Sequence, residues 1–205
     1  MMACAPEAGY RSDCVSETTQ TIVNGAQVAA EDYPFQVWLW GSCGGVIISP
    51  SWVLTAYHCV DGGTEASDLY LAVGVTELPD DDWPGYLRVR DIVRHPEFDR
   101  DTFEHDIALL ELETPLTFSD RVDAIRLASP DPSTRYYAAH EAGLQAPGVD
   151  GLVSGWGTTR DDQSVPFSDH LLGATVTMTS HASAGYGPQT TDQVPAIPRN
   201  GGDSC

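Results

Sequence analysis

Lysine is missing from this sequence. Its 10 basic side chains are all arginine and stand against 30 aspartates and glutamates, which leaves a net charge of −20. A surface of that sign repels nucleic acid and anionic membranes, so neither is an expected partner, and it attracts cationic peptides. Long apolar runs are missing as well. No stretch approaches the ~20 residues of a membrane-spanning helix, and residues 1–21 carry no apolar core of a secretory signal. Cysteine is sparse and odd in number. The five are Cys4, Cys14, Cys43, Cys59 and Cys205, and in an oxidising compartment an odd count leaves one thiol unpaired or paired outside the given chain. Cys4 and Cys14 could close a short loop. Histidines in metal-ligand spacing are also absent. His95, His140, His170 and His181 stand in polar, loop-like surroundings and read as surface residues, so neither a metal nor any other cofactor is expected.

What the chain does contain is a succession of short apolar runs broken by turn residues. Gly 19 and Pro 14 in 205 residues, with 41% hydrophobic residues, favour an all-β chain large enough to bury a core. Runs with strand character span Phe35 to Trp40, Gly45 to Ser49, Trp52 to Ala56, Leu69 to Val73, Tyr86 to Val93 and Ile107 to Leu112. Breaks fall at Ser49-Pro50, at Asp61-Gly62-Gly63, and through Pro79, Asp80 and Pro84. Strands at this spacing suit a Greek-key barrel. A second series begins with Leu152 to Trp156 and Leu171 to Met178, after a long crossover that contains Pro115, Pro130, Pro132 and Pro147. This predicts a second barrel that is begun and not completed. Glu77 and Asp80-Asp81-Asp82 do not match the spacing of a calcium loop and read as a solvated acidic turn.

The chemistry centres on Leu54-Thr55-Ala56-Tyr57-His58-Cys59. A disulfide from Cys43, within Gly41-Ser42-Cys43-Gly44-Gly45, to Cys59 would pin the turn that carries His58. A fixed turn is what a general base needs, because it works only within hydrogen-bond reach of the proton it takes. Taken alone, these residues read as a core histidine beside a structural disulfide. Asp106, at the mouth of the apolar run Ile107 to Leu110, reads alone as a cap or surface residue.

Several blocks together change that weighting. Ile22-Val23-Asn24-Gly25, the segment from Cys43 to Cys59, Asp106-Ile107-Ala108-Leu109-Leu110, Val153-Ser154-Gly155-Trp156-Gly157 and Gly201-Gly202-Asp203-Ser204-Cys205 occur in one order. That order and approximate spacing resemble the trypsin-like, chymotrypsin-fold serine proteases from Ile22 to Cys205. The resemblance implies an all-β fold of two Greek-key β-barrels, the second incomplete, with residues 1–21 as a leader and residues 22–205 as the protease domain.

It implies a Cys43–Cys59 disulfide, His58 as general base and acid, and Asp106 as the carboxylate that orients it. Asp203 falls where the family's trypsin-like members place the base of the pocket for a substrate arginine or lysine. Ile22 would be the amino terminus freed on activation. Thr21 precedes that bond where a basic residue is usual, and Arg11 is the nearest basic site upstream. A cysteine is also replaced, since Ser183 stands before Ala184-Gly185-Tyr186. The family's nucleophilic serine follows the cysteine matched by Cys205, and so does that cysteine's disulfide partner. The expectation is therefore a secreted serine endopeptidase, truncated before its nucleophile and inactive as given. Its expected partners are protein or peptide substrates with basic residues, and a monomer is expected. If the true start lies upstream, Met1-Met2-Ala3-Cys4 resembles the end of a lipoprotein signal and Cys4 would carry a lipid anchor. The alternative is a protease-like binding protein without catalysis, which has no chemical need to keep both His58 and Asp106.

Overall fold

The computed structural model describes residues 25–40, 43–127, 146–157, 168–179 and 196–198. Ten strands and two short 3-10 turns account for the regular structure of these residues. Six of the strands close a barrel. They are β2 (Gln36–Leu39), β3 (Cys43–Ser49), β4 (Trp52–Thr55), β5 (Tyr70–Val73), β6 (Leu87–Arg94) and β7 (Ala108–Leu112). Round the barrel they run β2-β3-β4-β7-β6-β5, all neighbours antiparallel.

Period-two alternation decides which side chains fill the interior. Along β7, Ala108, Leu110 and Leu112 are buried while Leu109 and Glu111 lie toward solvent. Along β2, Val37 and Leu39 enter the same core, which Ile47, Val53, Leu71 and Val89 complete. A fully buried Leu or Ile contributes about 1.5–3 kcal/mol through area removed from water, which makes this cluster the main support of the first barrel. Close packing at the β3–β4 crossing requires glycine at position 45. A Cβ there would lie 2.9 Å from the Leu54 carbonyl oxygen and 3.0 Å from a Val53 methyl.

The remaining strands are β1 (Ala26–Gln27), β8 (Asp150–Gly155), β9 (Leu172–Met178) and β10 (Ala196–Pro198). β8 pairs with β9 along its length, and β1 and β10 also pair with β9, near its two ends. Among the described residues this second sheet stays open, and its Leu152 and Ile197 are exposed. The all-β expectation therefore holds, with the first barrel closed.

Individual strand limits differ from the sequence expectation. β3 begins two residues before Gly45 because Leu39 pairs with Cys43. Tyr86 and Ile107 fall outside strands, in the turns that lead into β6 and β7. β1 and β10 are too short to leave a periodic pattern.

Thr76 joins the two sheets. Its hydroxyl accepts the Ala30 N–H at 3.1 Å, and its carbonyl accepts the Leu171 N–H at 2.7 Å and the Trp156 indole N–H at 3.2 Å. Among the described residues no helix is long and apolar enough to cross a membrane. Cys4, Cys14, Ile22, Asp203 and Cys205 lie outside the described residues, as do His140, His181 and Ser183.

Candidate active site

β4 delivers the chain to the site. Its last residue, Thr55, is buried, and its hydroxyl donates to the Gly44 carbonyl on β3 at 2.8 Å. Ala56 then turns the backbone, and Tyr57–Val60 form one 3-10 turn that carries His58. Three contacts fix this turn. A disulfide links Cys59 to Cys43 at the start of β3, with a Cα–Cα distance of 6.0 Å. Val60 is fully buried in the barrel core. The Arg94 guanidinium, reaching back from β6, donates to the carbonyls of Val60 and Thr64.

Asp106 comes from the other side, in the turn before β7. His105 and Phe103, just ahead of it, hold φ values of 57° and 56°, a left-handed conformation that costs a side-chain-bearing residue energy unless its surroundings impose it. The kinked path brings Asp106 onto His58. Oδ1 accepts the His58 backbone N–H at 2.8 Å, and Oδ2 lies 2.6 Å from the imidazole Nδ1. The carboxylate is 19% exposed and the imidazole 50% exposed.

This geometry has a chemical consequence. An ionised carboxylate only accepts, so the proton of a neutral imidazole sits on Nδ1 and the lone pair on Nε2. Cys59 Sγ is 3.6 Å from Nε2, but a disulfide sulfur has no hydrogen to donate, so it leaves the lone pair available. Sulfur and imidazole atoms of Cys43, His58 and Cys59 cluster closely enough to suggest a metal site. The two sulfurs are bonded to each other and offer no thiolate, which metal binding would require.

Aromatic side chains that the sequence did not single out surround the imidazole. Phe103 meets it edge-on at 5.9 Å, and Phe98 packs edge-on to Phe103 at 6.1 Å while stacking on Tyr57 at 4.1 Å. Their only sequence signal was two phenylalanines in an otherwise polar stretch, Phe98 to Phe103. His95 stacks on His105 at 4.6 Å. It is half-buried, because β6 ends where the turn carrying His105 folds over it, and the surface reading of His95 is corrected accordingly. His170 keeps a 37% exposed side chain, as a surface residue would, with its Nδ1 3.5 Å from Glu77 Oε1 and its backbone bridging that residue. The acidic turn is as expected: Asp80, Asp81 and Asp82 are all exposed.

A cavity of about 870 Å³ opens beside Asp106, between β3 and β4 on one side and Leu152, Val153 and Ser154 of β8 on the other. It places Asp106 at the junction of the two sheets, while the His58 ring lies outside its lining.

The trypsin family model matches residues 22–205. Trypsin 5G1 of Aedes aegypti is 34% identical over 198 residues, covering 90% of this chain and 67% of the relative. Ovochymase of Halocynthia roretzi is 30% identical over 202 residues, covering 91% of this chain and 12% of the relative. Vitamin K-dependent protein C of Mus musculus is 36% identical over 151 residues, covering 71% and 30%. The chain thus spans well under half the length of the last two. Among solved structures, neuropsin, a serine protease expressed in the limbic system of mouse brain, superposes with a TM-score of 0.70 at 27% identity, covering 89% of this chain and 77% of its own.

Proposed function

Since this chain belongs to the trypsin family of serine proteases, we propose that it carries the base and the specificity residue of a secreted endopeptidase that cleaves after arginine or lysine. One observation carries the reading: both oxygens of Asp106 are committed to His58, one to its backbone and one to its ring. A structural ion pair needs only one such contact. Two contacts fix the tautomer and the direction of Nε2 together.

In this reading the nucleophile is a serine a few residues beyond Cys205. Its hydroxyl oxygen bonds to the scissile carbonyl carbon as its proton passes to His58 Nε2. The imidazolium, stabilised by Asp106, then returns that proton to the leaving amine as the peptide C–N bond breaks. Water repeats the cycle on the resulting ester. Serine, histidine and aspartate act as a unit, so residues 1–205 without the serine should be essentially inactive. Asp203 would sit at the base of the pocket, where a carboxylate pays for its desolvation only with a cationic partner and so selects arginine or lysine. Residues 1–21 act as a leader in this scheme, and Ile22 begins the active protease.

The test is to read the codons after Cys205 and assay the protein started at Ile22 on arginyl, lysyl and phenylalanyl esters. A serine within a few residues, turnover of the basic esters, and loss of that preference in Asp203→Ser with hydrolysis retained would support the reading. An intact gene that stops at Cys205, or a continuation without the serine, would favour a protease-like binding protein.

A further inference from the structure

The first barrel carries a second built surface, on the side away from His58. Barrel order places β2 and β5 opposite β7 and β4, the strands that lead from Asp106 and to His58. Because Val37 and Leu39 point into the core, Trp38 and Trp40 point out. Trp40 lies beside Tyr70, whose carbonyl accepts its backbone N–H at 3.0 Å. Tyr86 joins them from the turn before β6. The rings meet edge-to-face or tilted in a continuous network: Trp38–Trp40 at 5.5 Å, Trp40–Tyr86 at 5.9 Å, Tyr70–Tyr86 at 6.1 Å and Trp83–Tyr86 at 5.3 Å. Three of the five tryptophans are gathered here. Trp40 is 42% and Tyr70 40% exposed.

Two features show that this surface is held ready rather than loosely packed. The Tyr86 hydroxyl lies 3.3 Å from the Pro79 carbonyl and 3.2 Å from that of Asp80, which ties the intervening loop to the platform. Gly85 lets Trp83 fold over the chain, since a Cβ there would come within 2.3 Å of the indole. Rigid aromatic anchors lose little freedom when a partner arrives.

Charge then narrows the partner. Asp80, Asp81 and Asp82, all exposed, border Trp83, and the platform already stacks one guanidinium of its own, with Arg88 Cζ 4.0 Å from the centre of the Tyr70 ring. Aromatic faces beside carboxylates attract planar cations more than neutral groups, and arginine more than lysine, because guanidinium stacks and is weakly hydrated. We propose that the Trp38–Trp40–Tyr70–Trp83–Tyr86 platform, with the Asp80–Asp82 rim, docks an arginine-bearing segment of a partner protein.

The probe is a hexa-arginine peptide added to the full chain labelled with 5-fluorotryptophan, followed by fluorine NMR at physiological salt. Resonances of Trp38, Trp40 and Trp83 should move, and those of Trp52 and Trp156 should stay. Hexa-lysine should bind about fivefold more weakly, the difference expected from guanidinium stacking. Asp80→Asn/Asp81→Asn/Asp82→Asn should weaken hexa-arginine more than the equally charged control Glu97→Gln/Asp101→Asn/Asp120→Asn. Equal weakening by both triples, or equal movement of all five tryptophans, would mean that diffuse acidity alone attracts the peptide and would overturn the proposal. So would movement of the platform resonances by a neutral N-acetylglucosamine hexasaccharide but not by hexa-arginine, which would mark a carbohydrate site. The resonance map, assigned by single Trp→Phe variants, is read on the unsubstituted chain, so it decides the matter even if a charge variant fails to fold.

Discussion

Ser154 and Gln36, from the two different sheets, meet side chain to side chain: the serine Oγ donates to the glutamine Oε1 over 2.7 Å. Gln36 is 7% exposed, so its amide oxygen has little access to water if that donor is lost. Ser154→Ala is therefore expected to destabilise the fold by about 1–3 kcal/mol, the cost of leaving a buried polar atom unsatisfied. Gln36→Met combined with Ser154→Ala should recover part of the loss, since no polar atom is then stranded. Urea denaturation of the three variants checks this, and a neutral single variant would show that the bond contributes nothing to docking the sheets.

The Cys43–Cys59 bridge closes a loop with a sequence separation of 16, for which chain entropy gives about 3 kcal/mol of stabilisation. Cys43→Ala/Cys59→Ala should lose stability of that order and free the turn that holds His58. Peptide mapping of unreduced protein provides a prior check, because finding both residues as free thiols would remove the proposed brace.

Asp106→Asn keeps the size of the side chain but replaces one accepting oxygen with a donor. If the NH2 group faces Nδ1, the imidazole proton is forced to Nε2 and the base is lost. In a chain completed with its nucleophile, kcat should drop by about 10⁴ with little change in substrate binding. Retention of more than a tenth of the activity would show that Asp106 does not set the tautomer.

Tyr86 should titrate above the ordinary tyrosine value. Burial is the main cause, and the negative charges of Asp81 and Asp80 add to it. A phenol whose proton is held more tightly in the folded chain contributes stability that is complete below the unfolded value and lost as pH rises through the folded one. The loop at Pro79 and Asp80 should accordingly loosen only in strong alkali, when the hydroxyl can no longer donate to their carbonyls. Spectrophotometric titration checks the direction, and Asp80→Asn/Asp81→Asn should move the transition toward lower pH.

The first barrel was largely legible because its signals are local. Short apolar runs between turn residues marked all six strands, and the blocks around His58 and Asp106 marked a pair that the fold brings to 2.6 Å. The limits of the strands were less legible. Cys43 belongs to β3 through its pairing with Leu39, and nothing in a glycine-rich stretch announces that partner. β1 and β10 are strands only because β9 lies beside them. The aromatic platform draws on residues from Trp38 to Tyr86, which neighbour one another only after β2, β5 and β6 have assembled. The left-handed turns at Phe103 and His105 were hidden for a different reason. Few side-chain-bearing residues adopt that conformation, phenylalanine less readily than histidine, so nothing local in the sequence announces it.

The pairing of Ala26 with Gly173 bears on the order in which the chain folds. The entire first barrel lies between these two residues in sequence, so closing that contact early would confine a long unfolded loop at high entropic cost. The barrel can form first from contacts between nearer segments, and once compact it brings the two ends close without further loss. β1 is then expected to engage late, as a latch, after β9 has found β8. Damage to this two-residue strand should slow or loosen the final docking of the second sheet while leaving the first barrel to fold at its own rate.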